Sequence, residues 1–346
     1  MNSIYDIQTL EWLIRDPYQR RKFLNATIKK ALPPEECPEP ASDFSSSLQM
    51  IERHDSKIDG ATKLIFSCSG GTAALPSAVV EADASPKKNR VEAVILRIAS
   101  GRTSLCISSQ IGCAAGCQFC ATGAMGFIRN LTSDEMLDQV LFAKRLLREE
   151  GRQLRNVVVM GMGEPLQNEA NLFQCLETLR DPRFFNLSEN HLMVSTVGIP
   201  DAMVRFVERF PNIQLALSLH SARQEIREKL MPIGKFQTLE KLKAVLLKFA
   251  CTEGTRRGQS MVEYLMLKGI NDGPEDLAAL IEYLDGTNTH INLIQFNAHP
   301  GAQFEPVTLE ARKAFGDALK ATGFKVTLRY SLGDDIAAAC GQLAGK

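Results

Sequence analysis

The stretch Cys113-Ala-Ala-Gly-Cys117-Gln-Phe-Cys120 places three cysteines within eight residues, with an aromatic residue directly before the last one. Cysteines so close in the chain can converge only on something small, either a metal ion or an iron–sulfur cluster. Structural zinc and a fully ligated cluster each take four protein ligands, but the nearest other cysteines are Cys106 and Cys175. Three thiolates on a four-iron cluster leave one iron open for a substrate. A zinc site with a distant fourth ligand and plain buried cysteines are the alternatives.

The composition is that of an ordinary globular protein. Of the 346 residues, 45% are hydrophobic and 23% are charged, which is enough for one large domain with a small addition. No apolar run approaches the ~20 residues of a membrane span, and the first residues lack the pattern of a signal peptide. Nine cysteines, three of them clustered, favour a reducing compartment over a disulfide scaffold. We therefore expect a cytoplasmic protein with no membrane partner.

The charge pattern does not by itself indicate a nucleic-acid-binding protein. The formal net charge is zero, with 40 basic and 40 acidic residues, whereas phosphate contacts usually need a basic surface. Residues 15–30 carry six basic side chains against one acidic side chain. A basic stretch of this kind is also typical of a solvated helix face.

The first ninety residues divide into a helical part and a strand-rich part. Apolar positions at helical spacing over residues 6–32, interrupted by Pro17, predict two short helices. A proline- and serine-rich linker follows over residues 33–47. Strand-like segments then occur at residues 62–67, 78–81 and 92–98. We expect a small N-terminal, mostly helical accessory region with its linker over residues 1–58 and a strand-rich lead-in over residues 59–90.

From residue 104 onward, short β runs alternate with amphipathic helical segments. The β runs are rich in Val, Ile and Leu without strict alternation, as in strands that are buried on both faces. They are predicted at residues 105–108, 156–160, 192–196, 214–218, 262–267 and 292–296. Helices are predicted after the capping box Thr132-Ser-Asp-Glu135 and over residues 238–249 and 275–284. Repeated β–α units predict an α/β fold with a parallel sheet, either open or rolled into a barrel.

The cysteine motif and its flanking segments resemble a known family. The C-x3-C-x2-C spacing with its aromatic residue is similar to that of the radical S-adenosylmethionine (SAM) superfamily. Five collinear segments resemble the RlmN/Cfr family of RNA adenine methyltransferases, with RlmN as the nearer type: Ser108-Ser-Gln-Ile-Gly-Cys113, Cys120-Ala-Thr-Gly-Ala-Met-Gly-Phe127, Arg129-Asn-Leu-Thr132, Met160-Gly-Met-Gly-Glu-Pro165 and Gly333-Asp-Asp-Ile-Ala-Ala-Ala-Cys340-Gly-Gln-Leu343. The resemblance implies a partial (β/α)6 radical SAM barrel over residues 91–346, with one [4Fe-4S] cluster on Cys113, Cys117 and Cys120.

The resemblance also implies a SAM site at the carboxyl ends of the strands, where α/β proteins gather their chemistry. The residues that match the family's SAM-binding positions are Gly163, Glu164, Ser195, Ser218, Leu219, His220 and Asn297. Glu164 can accept hydrogen bonds from the ammonium group of SAM. Ser195 could instead cap a helix, and Leu219 and His220 could be packed structural residues.

Two further cysteines are implied to be catalytic. The C2 carbon of adenine lies between two ring nitrogens and is too electron-poor to attack a sulfonium methyl group directly. In the mechanism that the resemblance implies, the Cys340 thiolate takes a methyl group from one SAM, and a radical made from a second SAM removes a hydrogen from it. The resulting methylene radical adds to the base. Cys106 then helps to release the product, leaving a transient Cys106–Cys340 disulfide, with Glu92 as the proton acceptor.

The predicted function is therefore methylation of adenosine C2 in RNA, in 23S rRNA and also in tRNA, with an electron donor such as flavodoxin as a partner. A Cfr-type C8 methyltransferase, a radical SAM enzyme with a non-RNA substrate and a non-catalytic RNA-binding protein with a structural metal are the alternatives. The presence of both Cys106 and Cys340 favours the methyltransferase. Glu92 could also be an outward residue of an edge strand. Because Asp334 and Asp335 would disfavour a nearby thiolate, we expect a compensating positive charge close to Cys340.

Overall fold

The computed structural model describes residues 2–68, 89–250 and 260–344. Within these ranges the strands are β1 (Gln49–Asp55), β2 (Ala61–Ser67), β3 (Arg90–Arg97), β4 (Thr103–Ile107), β5 (Gln110–Gly112), β6 (Phe127–Asn130), β7 (Asn156–Val159), β8 (Leu192–Thr196), β9 (Gln214–Ser218), β10 (Ser260–Met266), β11 (Thr289–Gln295) and β12 (Lys325–Arg329). The helices are α1 (Ile7–Leu13), α2 (Pro17–Leu24), α3 (Ala121–Ala124), α4 (Ser133–Glu149), α5 (Glu169–Arg180), α6 (Pro200–Arg209), α7 (Gln224–Leu230), α8 (Leu239–Ala250), α9 (Pro274–Leu284) and α10 (Leu309–Ala321).

Ten of the strands form one open sheet in the order β1-β2-β3-β4-β7-β8-β9-β10-β11-β12. Strands β1 to β4 pair antiparallel, whereas β4 and β7 to β12 pair parallel to one another. The predicted α/β class with a large parallel sheet is confirmed, and the six predicted barrel strands are all present. Strands β5 and β6 form a separate antiparallel pair beside the cysteine motif.

The sheet contains two strands that the sequence pattern did not predict. Strand β12 adds a seventh parallel strand, but its side chains alternate between exposed and half-buried, so the segment lacks the apolar run of the central strands. Strand β1 lies within residues 1–58, which we expected to be mostly helical with a linker. Only the first half of this strand is buried, so it lacks a continuous apolar run. The strand predicted at residues 78–81 lies outside the described residues.

The helices between the parallel strands cover the outer face of the sheet. The capping box predicted for α4 is present: Glu135 N–H donates to Thr132 Oγ1 (3.2 Å), and Thr132 N–H donates to Glu135 Oε2 (2.8 Å). The apolar face of α4 is fully buried and includes Leu137 and Leu141, and each such leucine contributes about 1.5–3 kcal/mol by leaving water. No helix within the described ranges is long and apolar enough to cross a bilayer.

A buried carboxylate fastens the N-terminal region to this framework. Helices α1 and α2 match the two predicted short helices. Asp138 on α4 accepts hydrogen bonds from Tyr5 Oη (2.8 Å), Ser46 Oγ (2.7 Å) and Ser47 N (2.6 Å). Burial raises the pKa of Asp138 to about 6, although the hydrogen bonds from these donors lower it. The first fifty residues are therefore held to α4 by polar contacts as well as by apolar packing.

Candidate active site

A cavity lies at the carboxyl ends of the parallel strands, against the cysteine motif. Nine of the residues singled out from the sequence line it together: Cys113, Cys117, Cys120, Gly163, Glu164, Ser195, Ser218, His220 and Cys340. The predicted residues outside the lining are Glu92, Cys106, Leu219 and Asn297. The position of this cavity is the one that parallel α/β sheets use for chemistry.

The cysteine loop is held closely by its neighbours. Gln118 N–H donates to the carbonyl of Leu230 at the end of α7 (2.9 Å). Gly123 lets α3 approach the loop, because a Cβ at that position would lie 2.7 Å from the carbonyl oxygen of Cys117. Phe119, the aromatic residue of the motif, packs in a small apolar cluster with Leu230 and Leu265. Contacts within the protein therefore determine the conformation of the loop.

The three thiols share one buried environment. Burial raises the pKa of Cys113 to about 12, and it also raises the pKa values of Cys117 and Cys120, with further increases from the neighbouring cysteines. Burial thus favours the neutral thiols over the thiolates, and iron, which binds thiolates, would displace protons on binding. No three His, Cys, Asp or Glu side chains of the described chain surround a position for a single metal ion. A four-iron cluster takes each thiolate on a different iron, so the donor set and its shared cavity fit such a cluster.

Glu164 occupies a fixed position on the opposite wall. Its carboxylate accepts hydrogen bonds from Thr196 Oγ1 (2.7 Å), Val197 N (2.8 Å) and Leu166 N (3.0 Å). Burial nevertheless raises the pKa of Glu164 to about 7. Gly163 before it has a φ of +103°, and a Cβ there would lie 2.5 Å from that of Gln110. Only glycine fits this turn.

Two serines join a glutamate on the inner face of the sheet. Ser195 Oγ lies 3.1 Å from Ser218 Oγ and donates to Glu263 Oε2 (3.1 Å). The helix that follows Ser195 has Ile199 as its N-cap, without a side-chain cap bond. The interpretation of Ser195 as a helix cap is therefore wrong.

His220 and Leu219 have different environments. His220 has a φ of +58°, and its Nδ1 accepts a hydrogen bond from Leu265 N (3.0 Å). Its ring meets that of Phe119 edge-on at 4.9 Å between centroids. Burial lowers the pKa of His220 to about 3, so the ring is neutral. Leu219 is fully buried in the main core rather than in the cavity wall, which agrees with the packing alternative.

The loop that carries Cys340 is docked on the cysteine loop. Ala121 N–H donates to the carbonyl of Gly341 (2.7 Å), and Thr122 Oγ1 donates to the carbonyl of Leu343 (2.6 Å). Asn297 Nδ2 donates to the carbonyl of Cys340 (3.1 Å). Asn297 therefore holds the Cys340 loop and does not line the cavity. The side chain of Cys340 itself is exposed.

Cys106 lies behind Cys340, and an arginine faces both. Burial raises the pKa of Cys106 to about 12, and the proximity of Cys340 raises it further. The pKa of Arg329 is raised most by Cys340 and further by Glu263 and Cys106. Arg329 also donates to Glu263 Oε1 (2.9 Å). Arg329 is the positive charge that we expected near Cys340.

The aspartates beside Cys340 point elsewhere. Asp335 accepts hydrogen bonds from Ser56 Oγ (2.7 Å) and Lys57 N (2.9 Å) in the β1–β2 turn. Asp334 accepts a hydrogen bond from Gln342 Nε2 (2.7 Å). Both carboxylates are thus engaged by groups other than the thiol of Cys340.

Glu92 is buried on an interior strand, β3, so the interpretation of an outward residue on an edge strand is wrong. In the antiparallel β3–β4 pair Val94 lies opposite Cys106. Residues opposite each other point to the same face, as do residues two apart in one strand. Glu92 therefore shares the face of the sheet that carries Cys106.

Comparison with known proteins accounts for this arrangement. The family model of the radical SAM superfamily matches residues 107–284. A probable RNA methyltransferase of Rhodopirellula baltica is 45% identical over 95% of this chain and 83% of its own length. The dual-specificity RNA methyltransferase RlmN of Ruthia magnifica is 40% identical over 75% of this chain and 72% of its own length. The chain belongs to the RlmN/Cfr family of radical SAM RNA methyltransferases.

Other relatives of this RlmN/Cfr-family chain include both named types and a solved structure. The ribosomal RNA large subunit methyltransferase Cfr of Lachnoclostridium phytofermentans is 40% identical over 75% of this chain and 76% of its own length. The crystal structure of a radical SAM methyltransferase from Sphaerobacter thermophilus matches with a TM-score of 0.88 and 31% identity, covering 100% of both chains. The RlmN of Ruthia magnifica and this Cfr are thus equally similar to the chain, at 40% identity over 75% of it.

Two residues that line the cavity were missed by sequence reasoning. Glu263 and Arg329 form an ion pair that joins β10 to β12 beside the two catalytic cysteine candidates. The available signal was Glu263 itself, a carboxylate within the otherwise apolar run Ser260–Met266, in which every residue is buried. A buried carboxylate in such a strand requires a partner. Arg329, the last residue of β12, is that partner.

Proposed function

We propose that this chain methylates C2 of an adenosine in RNA through a methylated Cys340. The observation that carries the proposal is the arrangement of the two outlying cysteines: Cys340 lines the cavity of the motif cysteines, and it lies close enough to Cys106 to raise the pKa of that thiol. The family supports methyl transfer to RNA, and the second cysteine supports the covalent route.

The cavity residues would hold two cofactors. Cys113, Cys117 and Cys120 would ligate the [4Fe-4S] cluster, and Glu164 with its neighbouring glycine would bind the ammonium group of SAM. When bound, the cluster and SAM would supply the electron and the carbon radical that removes a hydrogen atom. Two SAM molecules are consumed in each turnover, one as methyl donor and one as the source of the radical.

The chain's own residues perform the covalent steps. The Cys340 thiolate attacks the SAM methyl group. The positive charge of Arg329 stabilises the negative charge of this thiolate. A sulfur–carbon bond to Cys340 forms as the sulfonium–carbon bond breaks, and S-adenosylhomocysteine leaves. After the methylene carbon has joined the base, the adduct loses one electron, which the bound cluster would accept, and the proton on C2. The Cys106 thiolate then attacks the Cys340 sulfur. The bond from that sulfur to carbon breaks as the disulfide forms, and the carbon keeps the electron pair and takes up a proton to complete the methyl group. Glu92, on the same face as Cys106, is assigned as the proton acceptor.

The substrate is proposed to be 23S rRNA, with tRNA as a second substrate. Adenine C2 is hidden inside a duplex, so the enzyme needs an unpaired or splayed-out adenosine. The exposed Cys340 at the mouth of the site is suited to meet such a base. A one-electron donor such as flavodoxin would serve the cluster.

The test is mass spectrometry of the Cys340 peptide after anaerobic expression. The native protein should carry one methyl group on Cys340, and a Cys106→Ala variant should retain a covalent protein–RNA adduct. A Cys175→Ala variant is the control, because that cysteine is buried on α5 outside the cavity. An unmodified Cys340 with no adduct, despite an intact cluster chromophore, would contradict the proposal.

The position of methylation requires a second measurement. RNA treated with the enzyme is digested to nucleosides and compared with 2-methyladenosine and 8-methyladenosine standards. The 2-methyl product supports the proposal, and the 8-methyl product would assign the Cfr-type reaction instead. Sequencing of the RNA trapped on the Cys106→Ala variant then identifies the substrate.

A further inference from the structure

Arg227 on α7 is a buried cation without a carboxylate partner. Its side chain is fully buried. Nη1 donates to the carbonyl of Gln237 (3.1 Å), Nη2 donates to the carbonyl of Val197 (2.6 Å), and Nε has no hydrogen-bond partner. The ionisable groups that favour its charged form among the described residues are Tyr283 and Cys117, and neither is a carboxylate.

A charge in this position needs an anion. Removing a guanidinium from water is costly unless an opposite charge repays the cost, and two carbonyl oxygens carry no net charge. Cys117 is a motif cysteine. Val197, whose carbonyl accepts a hydrogen bond from Arg227 Nη2, lines the cavity together with the three motif cysteines. A cluster held by three thiolates would therefore place negative charge close to Arg227. A buried Arg227 without a carboxylate partner is thus consistent with a negatively charged cluster at the motif cysteines.

The position of Arg227 is closely determined. A Cβ at Gly234 would lie 3.0 Å from Nη1, so the chain leaves room for the guanidinium only because that residue is glycine. The end of α7 is joined to the cysteine loop through the hydrogen bond from Gln118 N to the carbonyl of Leu230. Arg227 does not line the cavity. It is therefore separated from the cavity by residues such as Val197, which line it.

We propose that Arg227 tunes the reduction potential of the cluster, by stabilising the additional negative charge of the reduced state. The inference rests on the proposed cluster at Cys113, Cys117 and Cys120. Net charge and hydrogen bonding around a cluster are among the factors that set its potential. Arg227 is accordingly a positioning residue for electron transfer, and its loss makes the cluster harder to reduce.

The test is a redox titration of the reconstituted cluster, followed by electron paramagnetic resonance. Arg227→Met removes the charge and keeps much of the bulk, whereas Arg227→Lys keeps the charge. The expected result for Arg227→Met is a reduction equilibrium at least tenfold less favourable, which is a shift of about 59 mV to more negative potential for one electron. Arg227→Lys should remain near the native midpoint. A native protein that assembles no cluster would refute the proposed function rather than this inference.

A matched control separates charge from folding. Arg145 on α4 is also buried, but the groups that act on it are Tyr5, Cys37 and Asp138, away from the cavity. Arg145→Met should lower stability without moving the midpoint. Equal midpoints for native protein and Arg227→Met, or an equal shift in Arg145→Met, would overturn the inference. If Arg227→Met assembles no cluster, assembly by Arg227→Lys supports the need for charge, and failure of both variants shows a merely structural role.

Discussion

Lowering the pH from 7 to 5.5 should weaken SAM binding through Glu164. Its carboxylate is buried, and the resulting desolvation raises its pKa to about 7, although three donors favour the charged form. An ammonium group binds the ionised carboxylate and not the neutral acid. Protons therefore compete with SAM for this side chain, and the competition falls within an accessible pH range.

The magnitude follows from the ionised fraction. For a pKa of about 7, Glu164 is about half ionised at pH 7 and about 3% ionised at pH 5.5, so the Kd for SAM should rise roughly fifteenfold. The ammonium of SAM, with an α-amino pKa of about 8, stays largely protonated over this range and does not reverse the trend. The sign is fixed, because a raised carboxyl pKa means that affinity is lost as the pH falls.

The assay is anaerobic equilibrium dialysis of labelled SAM against the cluster-loaded enzyme. Glu164→Gln is the matched control: it should bind SAM weakly at pH 7 and show little further loss at pH 5.5. A native Kd that does not change over this range, with the cluster absorbance intact, would refute the reasoning. If the Kd of Glu164→Gln for SAM changed with pH as much as that of the native protein, another group would be responsible.

Three further changes have defined outcomes. Arg329→Met should slow methylation of Cys340 roughly tenfold, because the loss of charge stabilisation costs about 1.4 kcal/mol. The rate is measured by a mass-spectrometric time course, in which Arg329→Lys should be much closer to native. Asp138→Ala should lower the free energy of unfolding by roughly 2–4 kcal/mol, because it leaves buried donors unsatisfied, as measured by urea denaturation. Gly163→Ala should abolish SAM binding in the same dialysis assay, because the added Cβ collides with Gln110, while far-ultraviolet circular dichroism stays native.

The sequence predicted the elements whose causes are local. The cysteine motif from Cys113 to Cys120 occupies only eight consecutive residues, and the apolar strands of the barrel appear directly as short Val-, Ile- and Leu-rich runs. The capping box that begins α4 needs only four consecutive residues. Each of these features depends on residues that are close together in the chain, so it can be predicted from a sequence pattern.

Features that depend on distant partners could not be predicted in this way. Strand β12 is stabilised by β11 at the edge of the sheet, and its own residues alternate without an apolar run. The ion pair of Glu263 with Arg329 joins side chains 66 residues apart. Asn297 matched a SAM-binding position, yet its amide is used by the backbone of Cys340. These outcomes depend on which elements the fold places next to each other.

The Cys340 loop also touches the antiparallel end of the sheet. Gly333 N–H donates to Asp59 (2.7 Å), and Asp335 accepts from Ser56 and Lys57, all in the turn between β1 and β2. That turn precedes the segment that matches the superfamily, residues 107–284. The part of the chain that positions Cys340 is consequently larger than the segment that matches the superfamily model. A truncated chain that starts after this turn would keep every motif cysteine but lose the contacts that hold Cys340 in place.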